Sequence, residues 1–338
     1  MTDKKTTALA LLSGGLDSLL ACRLIMAQGI EVMAIKFVTP FFGYELLARQ
    51  DSYQQKVLAK YGIHVELRDI STSYLELLRQ PAHGFGKNFN PCVDCKIFML
   101  TEARRLMTEI GASFIITGEV IGQRPMSQRR DTLRVIERDS GCDGVLLRPL
   151  CARNLPPTRV EEEGLVDRAR LLGFNGRGRK PQMALAAKYQ ITDYPSPAGG
   201  CLLADVSLGR RLATFYREQA QFTVNDIRLH LVGRQFRLPG GGWLAMGRND
   251  VENQRIENLA QPGEVRLATV DRPGPVALLR FATDPADRLA AAGLIARYAK
   301  KGPPWPAEVV VEISDANEMA EQVNVSPLTE KVFEGWRR

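Results

Sequence analysis

Three cysteines and one short glycine turn carry most of the chemistry this sequence offers. Cys92 and Cys95 form a C-x-x-C pair at the start of a helical pattern over 96–110. Cys201 lies far along the chain, in the proline- and glycine-rich turn 194–201. Such thiols can do redox chemistry, hold zinc or hold an iron–sulfur cluster. A structural zinc takes four ligands, and His83 is the candidate fourth, in the loop before the pair. Three thiols with one open position suit a reactive [4Fe–4S] cluster. The same three suit a metal-free arrangement, with one cysteine carrying a persulfide and another resolving a disulfide. Cys22, Cys142 and Cys151 read as core thiols instead, Cys22 lying among Leu19, Leu20 and Ile25.

The second chemical stretch is Ser13-Gly14-Gly15-Leu16-Asp17-Ser18. Two glycines allow positive φ and leave no Cβ to block an approaching group. Asp17 and Ser18 fall in the first turn of a helix, where free N–H groups and the dipole favour an anion. Phosphate or pyrophosphate is the natural guest. No Gly-Lys-Ser/Thr closes the loop, so it is not a Walker A motif.

These groups need a scaffold to place them. Residues 7–12 are apolar without alternation, as in a strand covered on both faces of a parallel sheet. A helix to about residue 28 follows, then strands over 31–38 and 64–70, with helical patterns over 45–61 and 73–79. A fourth strand at 113–117 runs straight into Gly118-Glu119-Val120-Ile121-Gly122-Gln123. The rhythm is that of an α/β fold with a doubly wound parallel sheet, whose ligands sit at the carboxyl ends of the strands. Thr158 and Glu161 fit a capping box opening a helix through Leu165, Val166, Ala169 and Leu172. Residues 174–181 form a basic, glycine-rich loop, and helices follow over 184–189 and 208–219.

Near residue 222 the character changes to turns and short strands, at 237–242, 243–247, 264–267 and 275–281. A helix over 285–300 and a last strand over 308–313 complete a smaller α+β domain. The expected division is 1–221 and 222–338, as 338 residues exceed one typical domain. Hydrophobic content of 45% and charged content of 25% are those of a soluble globular protein. No run approaches the ~20 apolar residues of a membrane span, and residues 1–7 lead into no secretory segment. A cytoplasmic protein without disulfides is expected. The net charge of +7 is compatible with a nucleic-acid partner, and basic residues cluster at 124–134 and 177–180.

The string Ser13–Ser18, placed between strand and helix, resembles the pyrophosphate loop of the PP-loop ATPases, which split ATP into AMP and pyrophosphate. Gly118-Glu119, Gly122-Gln123 and Ser127-Gln128 look like the matching strip of the tRNA 4-thiouridine synthetases, as does Leu147-Arg148-Pro149-Leu150. Asn90-Pro91-Cys92-Val93-Asp94-Cys95-Lys96 is similar to the first-cysteine region of the tRNA 2-thiouridine synthetases. The C-x-x-C with a distant cysteine resembles the iron–sulfur-dependent tRNA thiolases. Residues 247–254 and 274–280 resemble the NFACT-R module, which is associated with RNA binding.

The resemblance implies an ATP-dependent tRNA sulfurtransferase. ATP would lie on Ser13, Gly14, Gly15, Leu16, Asp17 and Ser18, with its adenine near Ala34, Lys36 and Phe37 and with Gly118 and Gln123 alongside. Asp17 would help hold Mg²⁺. A uridine carbonyl oxygen would attack the α-phosphorus, and sulfide or a persulfide would then displace AMP. Asp17, Cys92, Cys95 and Cys201 would be catalytic, the three cysteines holding a [4Fe–4S] cluster or acting through a persulfide. tRNA would meet Arg129, Arg130, Arg177, Arg179 and Lys180, with Arg248 and Arg280 as phosphate contacts of the second domain. A sulfur donor is implied, and no membrane. The motifs begin at residue 13, so no counterpart is expected for the N-terminal RNA-binding region of the 4-thiouridine synthetases or for the zinc fingers of the iron–sulfur thiolases. Two rival readings share these residues. One is an adenylating sulfur-inserting or amidating enzyme acting on a small molecule; the other is a non-catalytic RNA-binding adaptor.

Overall fold

The computed structural model describes residues 6–194, 201–301, 308–315 and 318–338. Residues 195–200, within the turn assigned to Cys201, and 302–307, before the strand expected at 308, lie outside the described residues. Two compact units are present, Met1–Gly209 and Arg210–Arg338.

The first unit is built on a parallel sheet of order β3-β2-β1-β4-β5. Its strands are β1 (Thr7–Leu11), β2 (Glu31–Val38), β3 (His64–Asp69), β4 (Phe114–Thr117) and β5 (Leu146–Leu147). The helices are α1 (Leu16–Met26), α2 (Gln50–Tyr61), α3 (Ser71–Leu77), α4 (Cys92–Ile110), α5 (Arg130–Asp139), α6 (Arg159–Glu162) and α7 (Lys180–Lys188). β1 sits in the middle, paired with β2 at Leu9↔Met33 and with β4 at Leu9↔Ile115. Its apolar run has no polar alternation because both faces are covered. Ala8, Ala10 and Leu12 pack with Leu19, Leu20 and Ile25 of α1 on one side. Leu9 packs with Leu100, Ala103 and Leu106 of α4 on the other. The chain leaves β1 for β2 on one flank and later reaches β4 on the opposite flank. That reversal opens a crevice at the carboxyl ends of β1 and β4, where such sheets place ligands.

Several local expectations are corrected. The 45–61 pattern begins as a 3₁₀ segment, Tyr44–Arg49, and becomes α-helical at Gln50. The capping box at Thr158 forms, with the Thr158 N–H donating to Glu161 Oε2 at 2.8 Å. The helix it opens is nonetheless one turn long, because Gly164 takes φ +69°. The other oxygen of the buried Glu161 carboxylate pairs with Arg168, and Arg168–Arg170 form a separate 3₁₀ turn.

The second unit holds an antiparallel sheet of order β11-β10-β8-β9-β7-β6. α8 (Val206–Glu218), within which the division falls, and α9 (Val224–His230) precede β6 (Arg234–Arg237) and β7 (Trp243–Met246). α10 (Asp250–Glu257), β8 (Val265–Thr269), β9 (Val276–Arg280), α11 (Ala286–Tyr298), β10 (Val309–Asp315), β11 (Glu318–Val325) and α12 (Glu330–Phe333) follow. Residues beyond Arg237 to 242 are a turn, not a strand: Leu238 N–H donates to Gly242 O at 2.8 Å, and Gly241 takes φ +102°. The buried Asp287 of α11 locks that turn, accepting from Gly240 N–H at 2.9 Å and Gly242 N–H at 2.7 Å. β10 is not the last strand, since β11 pairs with it. β11 was hard to foresee because polar Gln322 and Asn324 alternate with Val323 and Val325 in place of an unbroken apolar run. Among the described residues no helix is long and apolar enough to cross a membrane.

Candidate active site

The loop 13–18 is held open by its own side chains. Gly14 takes φ +87°, which a residue with a Cβ rarely adopts. Ser13 Oγ accepts from the Gly15 N–H at 3.2 Å and lies 3.2 Å from Ser18 Oγ, which donates to Gly15 O at 2.8 Å. Leu16 is buried and anchors the first turn of α1. On the next strand Lys36 reaches across, its Nζ donating to Ser13 O at 2.6 Å. Burial lowers the pKa of Lys36, with Glu45 opposing that shift.

Beneath the loop, β4 runs directly into Gly118. A Cβ there would lie 2.4 Å from Asp17 C and Ser18 N, so only glycine permits this approach. Gln123 Nε2 donates to Asp17 Oδ2 at 3.0 Å. Asp17 Oδ1 is buried and has no hydrogen-bond partner. A carboxylate oxygen left this way is costly unless something arrives to meet it. Asp17, Gly118 and Gln123 are thus brought together as expected from their positions. Ala34 and Phe37 are not: they are absorbed into the cores on opposite faces of the sheet, because β2 is an interior strand. Lys36 alone of that trio borders the loop.

The C-x-x-C pair opens α4, whose N-terminus lies at the same edge of the sheet, since a helix feeding a parallel strand runs antiparallel to it. Cys92, Cys95 and Cys201 lie close enough to feel one another's charge, and Tyr74 of α3 faces all three. The Tyr74 and Cys95 side chains hydrogen-bond, while burial pushes the Cys95 thiol up to about 11. Asn90 Nδ2 lies 3.3 Å from Cys92 Sγ. Cys92 and Cys95 are half-buried and Cys201 is exposed. Among the described residues no group of three or more His, Cys, Asp and Glu is arranged to hold a metal ion. His83 is taken by Asp94 and Asp139, at 3.0 and 3.2 Å, and does not join the thiols. Cys22, Cys142 and Cys151 are buried core thiols, and burial raises all three, Cys22 to about 12 and Cys151 to about 11.

Of the basic residues, Arg177 and Lys180 are exposed and Arg179 is half-buried, and their side chains have no hydrogen bond or ion pair among the described residues. Their loop is stitched to the strip after β4, where Gly176 N–H donates to Ile121 O at 2.8 Å. Arg129 pairs with Asp131 at 3.1 Å, and Arg130 donates to Asn154 O at 2.6 Å. In the second unit Arg248 donates to Glu252 at 3.0 Å on the surface. Arg280 is buried, donating to Asp226 at 2.8 Å and pairing with Glu264 at 2.8 Å. Its guanidinium holds the unit together and is not presented to a phosphate.

Tyr74, Lys96, Glu119 and Arg148 went unassigned in the sequence. The signals were present: Lys96 follows Cys95 directly, Glu119 follows Gly118, and Arg148 stands in the Leu147–Leu150 string.

Two stretches of the chain match known family models. Residues 4–155 match the family model of the thiamine biosynthesis protein ThiI. Residues 233–337 match the NFACT protein RNA binding domain. A probable tRNA sulfurtransferase of Thermococcus kodakarensis is 30% identical over 165 residues, covering 48% of this chain and 40% of that protein. A tRNA sulfurtransferase of Desulfurococcus amylolyticus is 26% identical over 272 residues, covering 78% of this chain and 53% of that protein. The chain therefore spans about half the length of these relatives or less. Among solved structures, a 4-thiouridine synthetase–RNA complex with bound ATP is similar at 22% identity and a TM-score of 0.38, covering 55% of this chain and 40% of that one.

Proposed function

We propose that the protein is an ATP-dependent tRNA sulfurtransferase that adenylates a uridine carbonyl oxygen and replaces it with sulfur. The observation that carries this reading is the meeting of two chemistries at one sheet edge: a phosphate-sized loop with an unpartnered Asp17 oxygen, and three thiols gathered around Tyr74. ATP as substrate lies with its pyrophosphate on the N–H groups of 13–18, where the α1 dipole offsets negative charge. Asp17, whose buried Oδ1 has no hydrogen-bond partner, would help hold Mg²⁺, which would draw charge from the departing pyrophosphate. Gln123 fixes the other Asp17 oxygen, and Lys36 braces the loop through Ser13 O. Adenylation turns the poor leaving oxygen of uridine into a good one.

We assign the sulfur step to thiols, because Cys92, Cys95 and Cys201 neighbour one another without forming a ligand set among the described residues. Exposed Cys201 is reachable by a persulfide donor. The terminal sulfur of its persulfide attacks the activated carbon, and AMP departs with the C–O bonding pair. A thiolate of the Cys92/Cys95 pair then attacks the Cys201 sulfur. The S–S bond breaks, sulfur remains on the base as the thiocarbonyl, and a protein disulfide forms. A dithiol reductant restores both cysteines. Arg177, Arg179 and Lys180, stitched to the strip beside Asp17, form the phosphate-backbone contact for tRNA in the first unit, and Arg248 serves in the second.

The test is pyrophosphate release from ATP in the presence of tRNA. Wild-type protein should release it, and Asp17→Ala should lower the rate about 1000-fold while melting like wild type. Equal turnover by the Asp17→Ala protein removes the assignment. Iron analysis of protein purified without air tests the sulfur step: iron bound through Cys92, Cys95 and Cys201, and lost on their replacement, overturns the thiol route.

A further inference from the structure

Between the loop 13–18 and the thiols lies a buried charge cluster that neither function above uses. Glu119, one residue past the Gly118 approach to Asp17, is 3% exposed. Its Oε2 is doubly satisfied, accepting from Thr117 Oγ1 at 3.2 Å and Arg148 Nε at 3.0 Å. Arg148 is itself 2% exposed and also pairs with Glu137. The second oxygen, Glu119 Oε1, has no hydrogen-bond partner. It faces the ammonium of Lys96 at 3.5 Å. Lys96 follows Cys95 on α4, and its side chain keeps 31% of its surface open.

Burial alone would neutralise Glu119, but Lys96 and Arg148 outweigh it and hold the carboxyl ionised. A buried pair of this kind is expensive to desolvate and gives weak stability for its cost. One end of the pair is locked by Arg148 and Thr117, and the other is a long, partly open lysine. That is the construction of a positioned cation. Lys96 is also the residue directly after Cys95 at the start of α4. It thus stands beside the sulfur group and is anchored one residue from the nucleotide loop.

Resting on the reading given above, we propose that Lys96, aimed by Glu119, is a positioning residue of the sulfur-transfer step. Its ammonium draws the anionic sulfur of the cysteine group toward the adenylated carbonyl and faces the negative charge that gathers as AMP departs. Adenylation comes earlier and depends on the loop 13–18, so it needs Lys96 little.

Two half-reactions separate this role from a structural one. Pyrophosphate release and thionucleoside formation are measured with the full chain, ATP, tRNA and a persulfide donor. Lys96→Met should leave pyrophosphate release within about threefold of wild type and lower thionucleoside formation about 100-fold. Lys96→Arg, which keeps the charge and the Glu119 pair, should recover at least about tenfold of that loss. The proposal is overturned if Lys96→Met lowers both steps alike, if it lowers neither, or if Lys96→Arg is no better than Met. Should Lys96→Met fail to fold, the Arg variant alone decides: near-wild-type transfer supports the role, and transfer as slow as in a Cys95→Ala protein overturns it. Absence of pyrophosphate release from wild-type protein would instead strike the sulfurtransferase reading itself.

Discussion

Asp17 has two carboxylate oxygens in different circumstances. Oδ2 is tied to Gln123, and Oδ1 is buried with nothing to bond. The difference identifies which atom awaits a ligand, and no sequence motif states it. A contrasting polar residue is His230 of the second unit. It is 3% exposed, packed between the Phe215 and Trp243 rings at 4.1 and 4.6 Å. Burial, helped by Arg211 and Arg280, pushes its pKa from 6.5 down to about 3. The folded protein therefore keeps the ring neutral where the unfolded chain would protonate it. Stability is unaffected above pH 6.5, and falls as pH drops from 6.5 toward 3 by ~1.4 kcal/mol per unit at most. His230→Phe should remove one proton from that acid limb in chemical denaturation followed against pH. An unchanged slope would show that the ring already carries its proton when folded.

The elements explain why these residues meet. β1 and β4 are neighbours although a long stretch of chain separates them, and their carboxyl ends bring Asp17 to Gly118. Gly118→Ala should therefore fail at the backbone: a methyl 2.4 Å from Asp17 C has nowhere to go. We expect ATP binding to fall at least tenfold and stability to drop by about 2 kcal/mol, read by calorimetric titration and by denaturant midpoint. Wild-type binding in that variant would mean the strand end does not support the loop. The sheet was legible in the sequence because β1, β2 and β4 are apolar runs bounded by turn residues. The loop 13–18 was legible because its glycines and Asp17 are contiguous. The helix beyond Thr158 was misjudged because a satisfied capping box says how a helix starts, not how soon Gly164 ends it. Arg280 was misjudged because a charged residue on β9 reads as surface until Asp226 and Glu264 are seen around it. Lys96 and Glu119 each stand beside a residue the sequence singles out, Cys95 and Gly118, but their pairing spans two elements and so escaped.

At the scale of the whole chain, two domain types are joined, one matching ThiI and one matching the NFACT RNA binding domain. The net charge of +7, and Arg177 and Lys180 of the first unit, whose side chains have no ion pair among the described residues, suit a polyanionic partner. Under the proposed function, the chemistry belongs to the first unit and the second adds a separate RNA contact. Purified protein incubated with ATP, tRNA and a persulfide donor, with digested tRNA nucleosides and released AMP counted together by mass spectrometry, tests this most directly. The account predicts one thiolated uridine for each AMP, and loss of both when tRNA is left out. AMP formed without tRNA, or thiolated uridine formed without ATP, would contradict it.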